Sequence, residues 1–358
     1  MRIVIFGLAV SSSWGNGHAA LWRGLIRALH TAGHRVTFFE RDVPYYAEHR
    51  DLVELPGGGE LVLYKTWDPE RAQRAADNAD VAMVTSYCPD ACAATRLIMD
   101  SRAPLRCFYD LDTPVTLARL AAGEPVDYVP PEGLGCFDLV FSYTGGGALE
   151  ALRTQLGARR VMPLYGSVDS STHHPGAPVP QYRAALSYIG TYAADRQPAL
   201  RQLFLEPARR RHNSRFVLAG AMYPPDFPWS DNIYFVRHLP PSEHAAFYAS
   251  SQLTLNVTRA AMAALGWCPS GRLFEAAACR VPVLSDMWPG LEAFFTPGSE
   301  ILVGHAPEDT LAVLDQPHSE LAAVARRAQE RTFDQHTAAH RSQDMIAGFE
   351  AAMSPQPA

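Results

Sequence analysis

Short apolar runs recur along the first half of the chain at intervals that leave room for one helix each. RIVIFGL (2–8), RVTFF (35–39), DVAMVT (80–85), LRCFYD (105–110) and FDLVFSY (137–143) are rich in β-branched and aromatic residues. Amphipathic or turn-rich segments separate them, the pattern of a doubly wound parallel sheet. The alternation weakens at 161–182, where Pro163, Gly166, Pro175, Gly176, Pro178 and Pro180 mark an extended connection. It then restarts with LSYIGTY (186–192), RFVLAG (215–220), NIYFVRHL (232–239), QLTLNV (252–257), VPVLSD (281–286) and EILVG (300–304). The expected architecture is α/β. It has a Rossmann-like domain over 1–165, a second over 166–333, a cleft between them, and a helix from 334 that packs across both and ends in the frayed SPQPA, residues 354–358. Ile346, Phe349 and Met353 stand at helical spacing in that last segment.

Composition removes several classes of function. A formal charge of −6 over 358 residues, without blocks of like charge, leaves no electrostatic footprint for nucleic acid or an anionic membrane, so the expected partners are small molecules. Cys88, Cys92, Cys107, Cys136, Cys268 and Cys279 lack CxxC spacing and read as buried, reduced thiols of a cytoplasmic protein rather than metal ligands. MRIVIFGLAV is too short to span a bilayer and lacks a basic leader, and no other transmembrane segment is expected. Oligomeric state is not readable.

Candidate chemistry collects where strands hand over to helices. Gly15, Asn16 and Gly17 form a turn before the first long helix, with His18 just inside it. The third glycine of a dinucleotide fingerprint is missing, which disfavours a nicotinamide cofactor. His18 reads as a general base or a ligand contact, against a plain capping histidine. Asp110 and Asp112 end another strand as a candidate metal-binding pair, but Asp112, before Thr113 and Pro114, serves equally well as a helix cap. Gly145 and Gly146 open a further helix, where amides can approach a phosphate or acceptor, or simply make a tight turn. Trp14, Trp22, Tyr45, Tyr46 and Trp67 are candidate stacking groups, although scattered aromatics usually fill cores.

The most specific stretch is PSGRLFEAAAC, residues 269–279. Ser270 and Gly271 start a helix on which Arg272 and Glu275 share a face, as an ion pair or as ligands for the diphosphate and ribose of a nucleotide. With PLYGSVD, IGTYAADRQPAL and the sequence through PGSEILV, this stretch resembles the group 1, family 4 type glycosyltransferases, and most closely the CgeB-like (spore maturation protein B-like) branch. The resemblance implies a GT-B fold, with a nucleotide-sugar donor, most simply a UDP-sugar, in the second domain. Glu275 matches the family glutamate that holds the ribose. Gly190, Thr191 and Arg196 fall where such enzymes place a glycine and two cations; Thr191 breaks the pattern, and Arg272 can supply the missing charge. His238 and Leu239 match the loop that receives the base, while Asn256 and Arg259 stand at a strand end. The family's first glutamate falls on Trp267, so the resemblance does not carry over the familiar donor-sugar contact or its retaining stereochemistry. The inverting GT-B enzymes instead place a histidine base after the first strand with an aspartate partner, which His18 and Asp112 resemble. Expected, then, is metal-independent transfer without a cofactor. A GT-B sugar-nucleotide epimerase and a non-catalytic sugar-nucleotide-binding module are the alternatives.

Overall fold

The computed structural model describes residues 1–354, so most of the expected frayed SPQPA end lies outside the described residues. Two compact units form: Met1–Tyr165 together with the segment from Ala338, and Gly166–Thr337. The first is a seven-stranded parallel sheet built from β1 (Arg2–Gly7), β2 (Arg35–Arg41), β3 (Glu60–Tyr64), β4 (Val81–Thr85), β5 (Leu105–Asp110), β6 (Leu139–Ser142) and β7 (Val161–Pro163). Its spatial order is β3-β2-β1-β4-β5-β6-β7. Ile3 and Ile5 enter one core with Trp22, Met83, Tyr109 and Phe141. Val4 and Phe6 enter the opposite core with Val84, Ile98 and Phe108. Both faces of β1 are therefore covered, which is why its sequence is a continuous apolar run rather than an alternating one.

The second unit repeats the design with β8 (Ala184–Ile189), β9 (Phe216–Ala219), β10 (Ile233–Val236), β11 (Ser251–Asn256), β12 (Val283–Ser285) and β13 (Leu302–Val303). These lie in the order β10-β9-β8-β11-β12-β13. Tyr188, Phe204, Phe216 and Leu253 fill its main core. Strand order reverses between β1 and β4 in the first unit and between β8 and β11 in the second. Ligands of open α/β sheets bind beyond the carboxyl ends of strands at such points.

Three elements depart from the sequence reading. Both β3 and β7 are additional strands at the sheet edges. The former begins on an exposed glutamate after three glycines, and the latter is a three-residue strand ending at Pro163, inside the stretch read as a linker. The terminal helix, Ala338–Met353, begins after residue 334 and groups with the first unit. Met345 and Phe349 are fully buried in the core beside Trp22, Tyr109 and Phe141, and Arg160 Nη1 donates to Ala352 O at 2.6 Å. The preceding helix, His318–Gln335, stops at His336, whose ring is buried and whose carbonyl accepts from Val168 N at 3.0 Å. All six cysteines are free, with Cys92 and Cys136 only half-buried. Among the described residues no helix is long and apolar enough to cross a membrane.

Candidate active site

At the β1/β4 reversal of the first unit, His18 lies in the first turn of the helix Gly17–Thr31, and Asp112 stands at the N-cap position of the helix Thr113–Ala121 after β5, its side chain making no capping hydrogen bond. The strand ends bring these distant residues together: His18 Nε2 stands 3.8 Å from Asp112 Oδ2, with both side chains mostly buried. Tyr87, from the turn after β4, donates its hydroxyl to the same carboxylate oxygen at 2.9 Å and stacks on the imidazole with ring centroids 6.0 Å apart. Its backbone is held at φ +63°, a strained conformation for an aromatic residue. Burial, and then the Asp112 charge, push the Tyr87 phenol well above its ordinary range, so it remains a donor. Nothing in the sequence marks Tyr87, because its role depends on a backbone conformation.

Asp110 lies beneath this group, fully buried at the end of β5. It accepts from Asp112 N and Thr116 Oγ1, each at 3.1 Å, while its Oδ2 has no partner. Burial raises the carboxyl to about 6, partly opposed by those hydrogen bonds. Between about pH 4 and 6 the folded chain holds a proton at Asp110 that the unfolded chain has released, so this residue makes stability fall as pH rises through that window. A shift of this size is worth roughly 3 kcal/mol. The Asp110→Asn variant is expected to lose that slope, and melting temperatures of both proteins from pH 4 to 8 check it. Parallel curves would remove Asp110 as the cause.

The glycine turns carry less ligand chemistry than their sequences suggest. Asn16 is engaged within its own turn as a helix cap. Its Oδ1 accepts from His18 N at 3.2 Å, and its Nδ2 donates to Ala9 O and Ser12 O. Glu40 already occupies the amides upstream, accepting from Val10 N at 2.7 Å and Ser11 N at 2.9 Å. Gly15 is required by φ +59° and by the Tyr45 hydroxyl, whereas a side chain at Gly17 would meet nothing within 4 Å. Gly145 is buried. Gly146, at φ +54°, caps the helix Gly147–Leu156 and is exposed.

In the second unit the helix Gly271–Ala278 starts as its sequence predicts, with Ser270 Oγ accepting from Arg272 N at 3.3 Å. Arg272 then reaches the β8/β11 reversal. Its Nη1 donates to Asn256 Oδ1 at 2.7 Å, and its guanidinium lies 5.2 Å from the centroid of the Tyr188 ring. Asn256 is held in turn by Ser285 Oγ, to which its Nδ2 donates at 3.0 Å. A Cβ on Gly190 would come within 2.7 Å of the Tyr188 hydroxyl and 3.2 Å of Arg272 Nη2, so only glycine leaves this corner open. Arg196 folds back to donate Nη1 to Thr191 O at 3.1 Å, and Arg259 clips the same loop through Asp195 at 3.2 Å. The Tyr188 hydroxyl and Arg196 Nε are buried without partners at this corner.

Glu275 points elsewhere. No ion pair joins it to Arg272 among the described residues. Instead Glu275 Oε2 lies 3.8 Å from His244 Nδ1, and His244 is hydrogen-bonded through that nitrogen to His173 Nε2 at 3.0 Å. Burial pulls the His244 imidazole down to about 4 and also lowers His173, with Glu275 opposing in both cases. The far nitrogen of His244 faces Leu239 O at 3.3 Å, which ties the His238–Leu239 loop to this cluster. Sequence reasoning missed both His173 and His244; neither lies in a motif, and the proline-rich linker carries His173 to the helix Pro241–Ala249. Where the resemblance would place a glutamate, Trp267 has φ +45° and lays its ring against Gly290, where a Cβ would come within 2.5 Å of the indole. A large planar group thus fills that place.

Two doubly wound parallel sheets, each with polar residues gathered at its own reversal point, have the GT-B glycosyltransferase fold. Sucrose-phosphate synthase from Thermosynechococcus elongatus is similar at a TM-score of 0.72 and 14% identity, over 98% of each chain. HepE of Anabaena, solved with UDP and glucose, is similar at 0.65 and 13%, over 98% of this chain and 100% of the other. An alpha-glucosyltransferase solved with UDP and DNA gives 0.68 and 13%, over 98% and 99%. Residues 196–347, the segment holding Arg196, Asn256, Arg272 and Glu275, match the family described as glycosyl transferase-like. No curated protein matches the chain by sequence.

Proposed function

We propose that the chain transfers a hexosyl group from a nucleotide diphosphate sugar, most simply a UDP-sugar, to an acceptor hydroxyl, without a metal ion or other cofactor. The observation that carries this reading is the convergence of Gly190 with Arg272 and Asn256 at the β8/β11 reversal, the latter two inside the glycosyltransferase-like segment. Arg272 and Arg196 bind the diphosphate and stabilise its departure, because guanidinium groups suit charge developing on phosphate oxygens. Amides of Ser270 and Gly271 add to that field. Glu275 accepts from the ribose hydroxyls, and the His238–Leu239 backbone receives the base. In the first unit His18 takes the proton from the acceptor hydroxyl as that oxygen attacks the anomeric carbon, and Asp112 stabilises the imidazolium. The PSGRLFEAAAC motif favours a CgeB-like member, working in the cytoplasm on small-molecule donor and acceptor.

Assays of the purified chain with UDP-sugars, with and without candidate acceptors, test the reading. UDP release that requires an acceptor supports transfer. Interconversion of the sugar alone would mean epimerisation, and saturable binding without turnover a binding module. Glu275→Gln is expected to weaken UDP binding by about 1–3 kcal/mol through loss of a charged acceptor, read by calorimetry. An unaltered affinity would remove Glu275 from the ribose.

A further inference from the structure

His173 and His244 have no part in the transfer just described, yet both are buried beside Glu275, at 3% and 7% exposure. One atom from each of the three residues fits within a span of 4.8 Å. His173 Nε2 and His244 Nδ1 are 3.0 Å apart, and Glu275 Oε2 is 3.8 Å from the latter. Ligand atoms about 2.0–2.2 Å from a tetrahedral ion are separated by roughly 3.4 Å, so these distances straddle what zinc requires. Tautomers also agree. Leu239 O, facing His244 Nε2, can only accept, so the proton sits on Nε2 and the Nδ1 lone pair points into the cluster. A backbone carbonyl in that position is the usual outer partner of a metal-bound imidazole. In the metal-free chain His173 Nε2 carries the proton of the hydrogen bond to His244 Nδ1; an ion takes that proton's place, the ring proton moves to Nδ1, which is buried without a partner, and the Nε2 lone pair then points to the same spot. Glu275 retains 16% side-chain exposure, which leaves a way in for an ion and for a fourth, solvent ligand.

We propose that His173 Nε2, His244 Nδ1 and the Glu275 carboxylate form a Zn²⁺ site, and that an ion held there takes Glu275 away from the donor nucleotide. Zinc and nucleotide sugar then exclude one another. The site itself rests on geometry alone; the exclusion rests on the proposal that Glu275 binds ribose. Two imidazoles and one carboxylate suit zinc better than magnesium, which prefers oxygen ligands and water.

Full-length chain, stripped of metal with a chelator, is titrated with Co²⁺ as a spectroscopic probe and then with Zn²⁺ as competitor. The proposal expects one equivalent of Co²⁺ with the visible d–d bands of a four-coordinate ion, displaced by Zn²⁺. His173→Gln and His244→Gln each should weaken it by more than about 10-fold, the loss that even an outer-shell change produces. UDP titrated into metal-free and zinc-loaded chain is expected to bind the first and to need at least 10-fold more nucleotide for the second, a gap His173→Gln closes. Failure of the unmodified chain to take up one equivalent of Co²⁺, or uptake insensitive to both substitutions, overturns the site whatever UDP does. If Co²⁺ binds through the histidines but UDP binds neither form, the donor reading fails and the exclusion falls with it. Equal UDP affinity in both forms overturns the exclusion alone.

Discussion

Exchange of His18 for alanine is expected to slow acceptor-dependent sugar transfer by about 10²–10⁴-fold, the usual contribution of a positioned general base, with UDP affinity unchanged. His18 reaches its partner only because β1 and β5, separated by β4, end at the same carboxyl edge, leaving Nε2 3.8 Å from Asp112 Oδ2. That separation is long for a hydrogen bond, and it shortens as the imidazole acquires charge and the carboxylate attracts it. Tyr87 fixes the carboxylate oxygen at 2.9 Å, so Tyr87→Phe should lower the rate less than His18→Ala and in the same parameter, kcat. Steady-state assays with product analysis by NMR give both the rate and the anomeric configuration. A His18→Ala enzyme of normal kcat would place the base elsewhere.

The second large effect is expected at Arg272. Its conversion to glutamine should weaken nucleotide diphosphate binding by about 1.5–3 kcal/mol, roughly 10–150-fold, as befits loss of charge-assisted bonds. One nitrogen is committed to Asn256 at 2.7 Å and the guanidinium faces the Tyr188 ring, so the group is held in place before any ligand arrives. Such a preorganised fork loses little entropy on binding phosphate. Calorimetric titration of both proteins with UDP decides the matter. Equal affinities would reduce Arg272 to a packing group that ties its helix to β11.

How legible these sites were in the chain differs from residue to residue. PSGRLFEAAAC announced its capped helix, because capping depends on local chemistry at Ser270 and Gly271. The alternation of apolar runs located the strand ends, and thereby the loops of His18, Asp112, Gly190 and Asn256. What spacing could not supply was side-chain direction. Arg272 and Glu275, three apart on one helix, were readable as an ion pair, yet one reaches β11 and the other the buried histidines. Neighbours from distant segments decide that choice. His173 and Tyr87 were invisible for related reasons: the first is placed by the path of a proline-rich connection, the second by a positive φ. The strands β3 and β7 went unread because edge strands are short and bury little apolar surface.

The central claim is that the β8/β11 reversal of the second unit binds a nucleotide diphosphate. Calorimetric titration of the metal-free full chain with UDP, ADP and GDP tests it most directly, with Arg272→Gln and Glu275→Gln run alongside. The expected result is saturable binding of one equivalent of at least one of these nucleotides, UDP first, weakened about 10-fold or more by Arg272→Gln. Absence of binding by all three, or binding untouched by both substitutions, would contradict it.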